Sequence, residues 1–328
     1  MASDNDIELT RLAFKQADLA FQHEIKHDYA EAFRLYKLAA KQNYPIAQSA
    51  LGAMYEYGRG VEHDYAEAFK WYRLAAECGL EDCQFKLASM YDKGRGVEQS
   101  SAEAVKWWKL AAVQGHVEAQ MLLGVAYALG EVIGKDYVEA VRWFRLAAEQ
   151  GDCISQFELG HMYAEGKGVE QNRAEAEKWK KLGNIQLAKI QFEKGNEFVL
   201  KNDYVEAVRL FKFAAQENNA NAQFSLAVMY ELGQVVEQDY AESVKLYKLA
   251  AEQGNAQAQL NLGGMYADGM GVASDFIKAY MWFNLAVAQG DKDAKHNIDI
   301  VARKMTAQQI AEAQKLAREC LAKNYKNC

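Results

Sequence analysis

The sequence repeats itself at a fixed interval, and this periodicity restricts the fold more than any other feature. A thirteen-residue phrase that begins at Asp64 and reads Asp-Tyr-Ala-Glu-Ala-Phe-Lys-Trp-Tyr-Arg-Leu-Ala-Ala recurs in recognisable variants. Its eight opening residues are Asp28, Asp64, Ser100, Asp136, Asn172, Asp203, Asp239 and Asp275. Successive openings are 36 residues apart, except for one interval of 31. Such a period predicts a stack of similar supersecondary units, although length alone would suggest two globular domains.

Each phrase predicts a helix, which we call helix B of its repeat. All eight opening residues are Asp, Asn or Ser, whose side chains accept hydrogen bonds from the free N–H groups of a first helical turn. Glu follows three residues later in seven repeats, so we expect a capping box at these helix starts. Glycines such as Gly79 and Gly151 follow the Ala-Ala pair and predict left-handed C-terminal caps.

A second helix, helix A, is predicted before each helix B. Residues 47–55 show its pattern, with apolar residues spaced by three and four positions. One glutamine recurs in every repeat, at Gln16, Gln48, Gln84, Gln120, Gln156, Gln191, Gln223 and Gln259. We interpret it as a buried amide that bonds the backbone of the adjacent repeat, with lining of a groove as the alternative. A glycine-rich loop such as 58–61 then leads into helix B.

These two patterns together resemble the Sel1-like repeat family, which is related to tetratricopeptide repeats and has many bacterial members. The resemblance runs from about residue 10 to residue 291, with dozens of residues at fixed spacing. It implies an all-α, right-handed α/α superhelical solenoid of eight helix-turn-helix repeats with a C-terminal capping helix. Stacking supplies the core of such a fold, because no single helix pair can bury its apolar face alone.

The repeats are not uniform, and the irregularities suggest domain boundaries. Repeats 1 and 6 lack the glycine loop, and the segments 12–43 and 187–218 align with each other, which indicates a duplicated module. We therefore expect residues 10–184 to hold repeats 1–5, residues 185–291 to hold repeats 6–8, and residues 292–328 to form C-terminal capping helices. Whether the chain bends at the junction is left open.

The last segment is similar to the closing helix of many family members. Thr306 and Gln309 predict a capping box at its start. Four residues are predicted to cover the exposed face of the last repeat: Ile310, Ala313, Ala317 and Leu321.

Composition excludes several function classes. The net charge is −7 with no basic run, so we expect neither nucleic-acid binding nor attraction to anionic membranes. The apolar runs are too short to span a bilayer, and the first residues lack the features of a secretory signal. We expect a cytoplasmic protein without membrane insertion, with secretion as an alternative. The five cysteines are irregularly placed and predict free, mostly buried thiols.

No pattern of residues indicates catalysis. His23 and His27 could share a helix face as zinc ligands do, but no third ligand accompanies them. The glycine loops lack the preceding strand and the spacing of a nucleotide-binding motif. We therefore expect no catalytic residues, no metal, no cofactor and no enzymatic activity.

The position after each repeated glutamine offers a candidate binding site. In tetratricopeptide units the matching helix A positions face the concave groove, and here they hold Phe85, Met121, Phe157, Phe192, Phe224 and Leu260. Further groove positions along the same helices hold Tyr57, Lys93, Leu129, His161, Leu200 and Leu232. The alternative is that these side chains pack against the next repeat.

The expected function is a non-enzymatic scaffold or adaptor that binds a protein or peptide in the groove. Two alternatives remain at this stage: a secreted effector or inhibitor acting on a host or envelope protein, and a hydrolase of cell-wall or lactam substrates. The partner and the oligomeric state are left open.

Overall fold

The computed structural model describes residues 4–326 and 328, so the first three residues, on which part of the localisation expectation depends, lie outside it. Helices and their connections make up the described chain, and no strand occurs there. The helices are α1 (Asp4–Ile25), α2 (Tyr29–Ala40), α3 (Pro45–Tyr57), α4 (Tyr65–Glu77), α5 (Glu81–Lys93), α6 (Ser101–Val113), α7 (Val117–Leu129), α8 (Tyr137–Glu149), α9 (Cys153–Glu165), α10 (Arg173–Leu200), α11 (Tyr204–Gln216), α12 (Ala220–Leu232), α13 (Tyr240–Ala251), α14 (Ala256–Asp268), α15 (Phe276–Ala288), α16 (Lys292–Ala302) and α17 (Ala307–Ala322).

The helices form two compact units, one ending at Gly183 and one beginning at Asn184. From α1 to α9 and from α11 to α16, every helix packs against the next one along the chain. In the first unit the odd-numbered helices are A helices and the even-numbered ones are B helices up to α9. In the second unit α12 and α14 are A helices, and α11, α13 and α15 are B helices. This arrangement confirms the predicted all-α solenoid.

The starts of the B helices confirm the predicted N-caps but not the capping boxes. The Asp64 carboxylate accepts from the N–H groups of Ala66 and Glu67 at 2.8 and 3.1 Å. The reciprocal bond is missing because the Asp64 N–H already donates to the Tyr55 carbonyl at 3.1 Å. Glu67 instead pairs with Lys70, and the Glu of the other six repeats likewise pairs with a Lys or Arg three residues later. The box predicted at Thr306 and Gln309 is confirmed.

The predicted glycine caps also form, and one departure follows from the absence of such a glycine. Gly79 and Gly151, which follow α4 and α8, have φ angles of 94° and 92°. One period after Gly151 the chain has Leu187, and there the helix does not end. Helix B of repeat 5 and helix A of repeat 6 therefore form the single 28-residue helix α10, where the pattern predicted two helices.

The C-terminal cap corrects the prediction that all five cysteines are free. Cys320 and Cys328 form a disulfide, whereas Cys78, Cys83 and Cys153 are free. The chain turns back after α17, where the Tyr325 N–H donates to the Cys320 carbonyl at 2.9 Å. This turn brings the two Cα atoms to 5.3 Å, a separation that suits a disulfide.

The cap covers the last repeat much as predicted. Ala313 and Ala317 are buried, and Ile310 packs against the cluster around α15. Leu321, however, is 42% exposed, and the neighbouring Cys320 is buried in its place.

Candidate partner-binding face

The repeated glutamine of helix A is buried and joins neighbouring repeats. Gln120 Nε2 donates to the Ala112 carbonyl of the preceding helix B at 3.0 Å, and its Oε1 accepts from Gln150 Nε2 at 2.8 Å. The same two bonds surround Gln84, Gln223 and Gln259. This network confirms the structural interpretation of the glutamine. The predicted groove residues lie on another side of helix A, which is the candidate side for a partner.

We call that side the A-face and define it by the positions one, five and nine residues after each repeated glutamine. The first of these positions is half-buried in six repeats: Phe85, Met121, Phe157, Phe192, Phe224 and Leu260. Phe85 packs on the next repeat, as the alternative interpretation expected, whereas Phe224 packs on helix B of its own repeat. The Phe85 ring stacks on His116 with centroids 4.3 Å apart, and the Phe224 and Tyr247 ring centroids are 5.9 Å apart.

The ninth position is more open. Tyr57 and Leu129 in the first unit and Leu232 in the second are 55%, 57% and 57% exposed. Lys93 at this position and His161 at the fifth position are exposed too, and His161 lies 3.3 Å from the Glu165 carboxylate.

Two exposed apolar residues at A-face positions of repeat 1 were not among the predicted groove residues, Phe21 at 53% and Ile25 at 58%. The same offsets counted from Gln16 identify both.

Adjacent A helices share this face. The Tyr57 hydroxyl on α3 lies 3.4 Å from Lys86 Nζ on α5, and this ammonium is 6.0 Å from the centroid of the Tyr57 ring. Arg59 lies over the same ring at 5.4 Å. Tyr57 is thus an exposed aromatic ring bordered by two cations.

A row of tyrosine–glutamate pairs borders the A-face. The Tyr72 hydroxyl donates to Glu56 at 2.7 Å, and Lys86 Nζ lies 3.8 Å from the same carboxylate. Burial, and then the Glu56 carboxylate, raise the pKa of Tyr72 far above its ordinary value of 10.0. In the second unit Tyr247 donates to Glu231 at 2.5 Å and accepts from Asn261 at 2.9 Å.

The two histidines weighed as zinc ligands contact different neighbours. His23 Nδ1 is 2.9 Å from the Asp28 carboxylate, and His27 Nδ1 is 2.9 Å from the Tyr29 hydroxyl. In residues 4–326 and 328 no cluster of three or more His, Cys, Asp or Glu side chains could hold a metal ion. Nor does any helix in this part combine the length and apolarity needed to cross a bilayer.

These features define the class: a helical repeat protein whose A/B helix pairs are joined by buried glutamines. The Sel1 repeat model matches residues 16–44, 45–80, 81–116, 117–152, 153–179, 183–219, 220–255 and 256–291. The chain therefore belongs to the Sel1 repeat family, whose solenoids are generally non-catalytic protein-interaction folds.

Several solved structures are similar to this chain. A protective antigen of uropathogenic Escherichia coli with an SLR fold is 26% identical, with 95% of this chain and 85% of that chain covered and a TM-score of 0.47. A Sel1 repeat protein from Oxalobacter formigenes is 29% identical, with coverage of 92% and 91% and a TM-score of 0.45. Yeast Tom70 is 14% identical, with coverage of 93% and 67% and a TM-score of 0.34. No curated protein sequence matches significantly.

Proposed function

We propose that this protein is a non-enzymatic scaffold that binds a partner protein or peptide along the A-face. The observation that carries the proposal is the exposed apolar side chain at the ninth position in five repeats. These side chains belong to Ile25, Tyr57, Leu129, Leu200 and Leu232. Covering apolar surface is favourable by about 25 cal/mol per Å², so in each unit such a row supplies binding energy to a partner that covers it.

The spacing of these exposed side chains indicates which kind of partner segment would fit them. Packed helices lie about 8–10 Å apart, and an extended chain advances about 3.3 Å per residue. An extended segment that crosses neighbouring A helices of one unit therefore meets successive ninth-position side chains at intervals of a few residues. Apolar anchors at this spacing fit Ile25 and Tyr57. A carboxylate fits opposite Lys93, which is exposed in the same row.

Surface variants test this proposal. Phe157 and Phe224 are poor choices because the Phe157 ring packs against Gly183 and Phe224 packs against the core of the second unit. Tyr57→Glu combined with Leu129→Glu alters the first unit, and Leu232→Glu alters the second, at positions that are more than half exposed. Leu110→Glu is the matched control, because Leu110 is 49% exposed on a B helix.

The variants would be used as bait in native lysate, with circular dichroism to confirm folding. We expect the A-face variants to lose a partner that wild type and the control retain, and that partner to bind wild type again when purified. Capture unaffected by the A-face variants would contradict the proposal. Reproducible turnover by the purified protein in a panel of cell-wall and lactam hydrolase assays would also contradict it.

A further inference from the structure

One position of helix B carries tryptophan in five repeats and leucine in the other three. Seven residues after the opening residue, five repeats carry tryptophan: Trp71, Trp107, Trp143, Trp179 and Trp282. Trp143 of α8 is 3% exposed and packs into the cluster formed by α6 and α7. Trp282 of α15 is 2% exposed and packs in the same way against α13 and α14. In α13 the same position holds Leu246, a smaller side chain.

A cavity of about 570 Å³ lies beside Leu246, between α11, α12 and α13. This volume lies within the range of ordinary ligand pockets. Its lining includes Lys212, Leu226 and Tyr230. The residues at the matching positions around Trp143 are Lys109, Leu123 and Tyr127, and the last two belong to the cluster that holds the Trp143 ring. Matching residues therefore surround the Trp143 indole in the first unit and the cavity beside Leu246 in the second.

Helix B also carries a cation next to this tryptophan position, and at the cavity the cation is present without the tryptophan. The Arg142 guanidinium lies 5.3 Å from the centroid of the Trp143 ring, and Lys178 Nζ lies 5.5 Å from that of Trp179. Lys245 takes this position at the cavity, where its ammonium is 3.1 Å from Glu242 and has no tryptophan beneath it. A cation placed over an indole is attracted to the negative face of the ring.

The rim of the cavity carries a further positive charge. Lys212 Nζ is 5.8 Å from the centroid of the Tyr230 ring, and in the described part of the chain no carboxylate pairs with it. Glu242 is the acidic residue of the lining, and it is paired with Lys245. The lining thus has a net positive charge beside its apolar floor.

We propose that this cavity binds a tryptophan side chain of a partner peptide, flanked by acidic residues. The indole packs on Leu226, Tyr230 and Leu246 with the Lys245 ammonium at its face, and a flanking carboxylate pairs with Lys212. The site lies on the B-helix side of the second unit and is separate from the A-face. It is thus a second docking point and does not depend on the function proposed above.

A fluorinated peptide tests the proposal directly. The probe is acetyl-Glu-Trp-Glu-amide made with 5-fluorotryptophan, and its ¹⁹F signal is followed as protein is added. We expect a saturable shift with wild type and none with Leu246→Trp, because the introduced indole fills the cavity. Leu110→Trp, which adds a tryptophan at an exposed position of α6, and Leu232→Glu on the A-face should both respond like wild type.

Charge reversal provides a second readout that does not depend on how well Leu246→Trp folds. Lys212 is exposed, so Lys212→Glu should leave the circular dichroism spectrum unchanged. We expect it to weaken the Glu-flanked probe about fivefold and to favour acetyl-Lys-Trp-Lys-amide instead. The absence of a wild-type shift would overturn the proposal, as would a full shift with folded Leu246→Trp or equal affinity of both probes for Lys212→Glu.

Discussion

The Tyr247 hydroxyl on α13 donates to the Glu231 carboxylate on α12 at 2.5 Å, and the same pairing joins Tyr72 to Glu56 at 2.7 Å. Where helix B has phenylalanine at this position, helix A has a small apolar residue in place of the glutamate. These exchanged pairs are Phe144 with Ala128, Phe211 with Val199, and Phe283 with Ala267. In these three repeats both members of the pair are exchanged together, which avoids a partly buried carboxylate without its donor.

The first prediction concerns this pair. Tyr247→Phe removes the donor of Glu231 and should lower the free energy of unfolding by about 1–2 kcal/mol. Adding Glu231→Ala reproduces the composition of the phenylalanine repeats and should recover most of that loss. Urea denaturation of wild type, both single variants and the double variant measures the coupling. Losses that simply add in the double variant would show that the two side chains are not coupled.

The second prediction concerns alkaline pH. Burial is the largest cause that raises the pKa of Tyr36, Tyr72 and Tyr247 above 10.0, and the neighbouring glutamates raise it further. A raised pKa in the folded state means that the neutral hydroxyl is favoured there. The neutral tyrosine hydroxyls therefore contribute fully to the free energy of unfolding below about pH 10, and this contribution is lost as the pH rises above that value.

Denaturation midpoints measured between about pH 8 and pH 11 should fall above pH 10. The fall should be shallower in the double variant Tyr72→Phe/Glu56→Ala, which has one such hydroxyl fewer. An identical fall in wild type and this variant would show that Tyr72 does not contribute.

The third prediction completes the glutamine network at one of its gaps. Gln48 Oε1 is buried and has no hydrogen-bond partner in the described residues. In other repeats a glutamine at the end of helix B supplies the donor, as Gln114 does for Gln84 at 2.8 Å, but the corresponding residue after α4 is the exposed Cys78. Cys78→Gln should raise the free energy of unfolding by about 1 kcal/mol, and Cys78→Ala should not. Equal stability of the two variants in urea would contradict this role.

The fourth prediction concerns Val235, whose φ of 65° is unfavourable for a β-branched residue. Glycine occupies the matching loop position in other repeats, for example Gly60 and Gly96 with φ of 69° and 68°. Val235→Gly should therefore stabilise the protein by about 1 kcal/mol in thermal or urea denaturation. Val132→Gly is the matched control, since Val132 holds the same position without a positive φ and should gain nothing. A gain of equal size in both variants would mean that Val235 is unstrained.

Much of the fold follows from the sequence because each repeat carries its own local determinants. The N-cap of Asp64, the buried role of Gln120 and the cap at Thr306 depend on neighbours at fixed spacing, which a period reveals. The continuous helix α10 arises because Leu187 stands where other repeats have a capping glycine. A glycine that is absent from one repeat is harder to recognise as a structural determinant than one that recurs.

Other features required three-dimensional contacts. The Asp64 N–H is taken by the Tyr55 carbonyl, so the predicted capping box gives way to an ion pair that local sequence does not specify. The disulfide depends on a turn after α17 that returns Cys328 to Cys320. At the A-face, the sequence predicts the positions, but how much of each ring packs on the next repeat depends on side-chain size, as Phe85 on His116 shows.

The binding role of the A-face is tested most directly by site-specific photo-crosslinking in native lysate. A photoreactive phenylalanine analogue would replace Tyr57, Leu232 or, as control, Leu110, all of which are exposed. The account predicts that one partner is crosslinked from Tyr57 or Leu232 and not from Leu110, and that peptide mapping places its apolar residues at the crosslink. Crosslinking of that partner from Leu110 with none from either A-face position would contradict it.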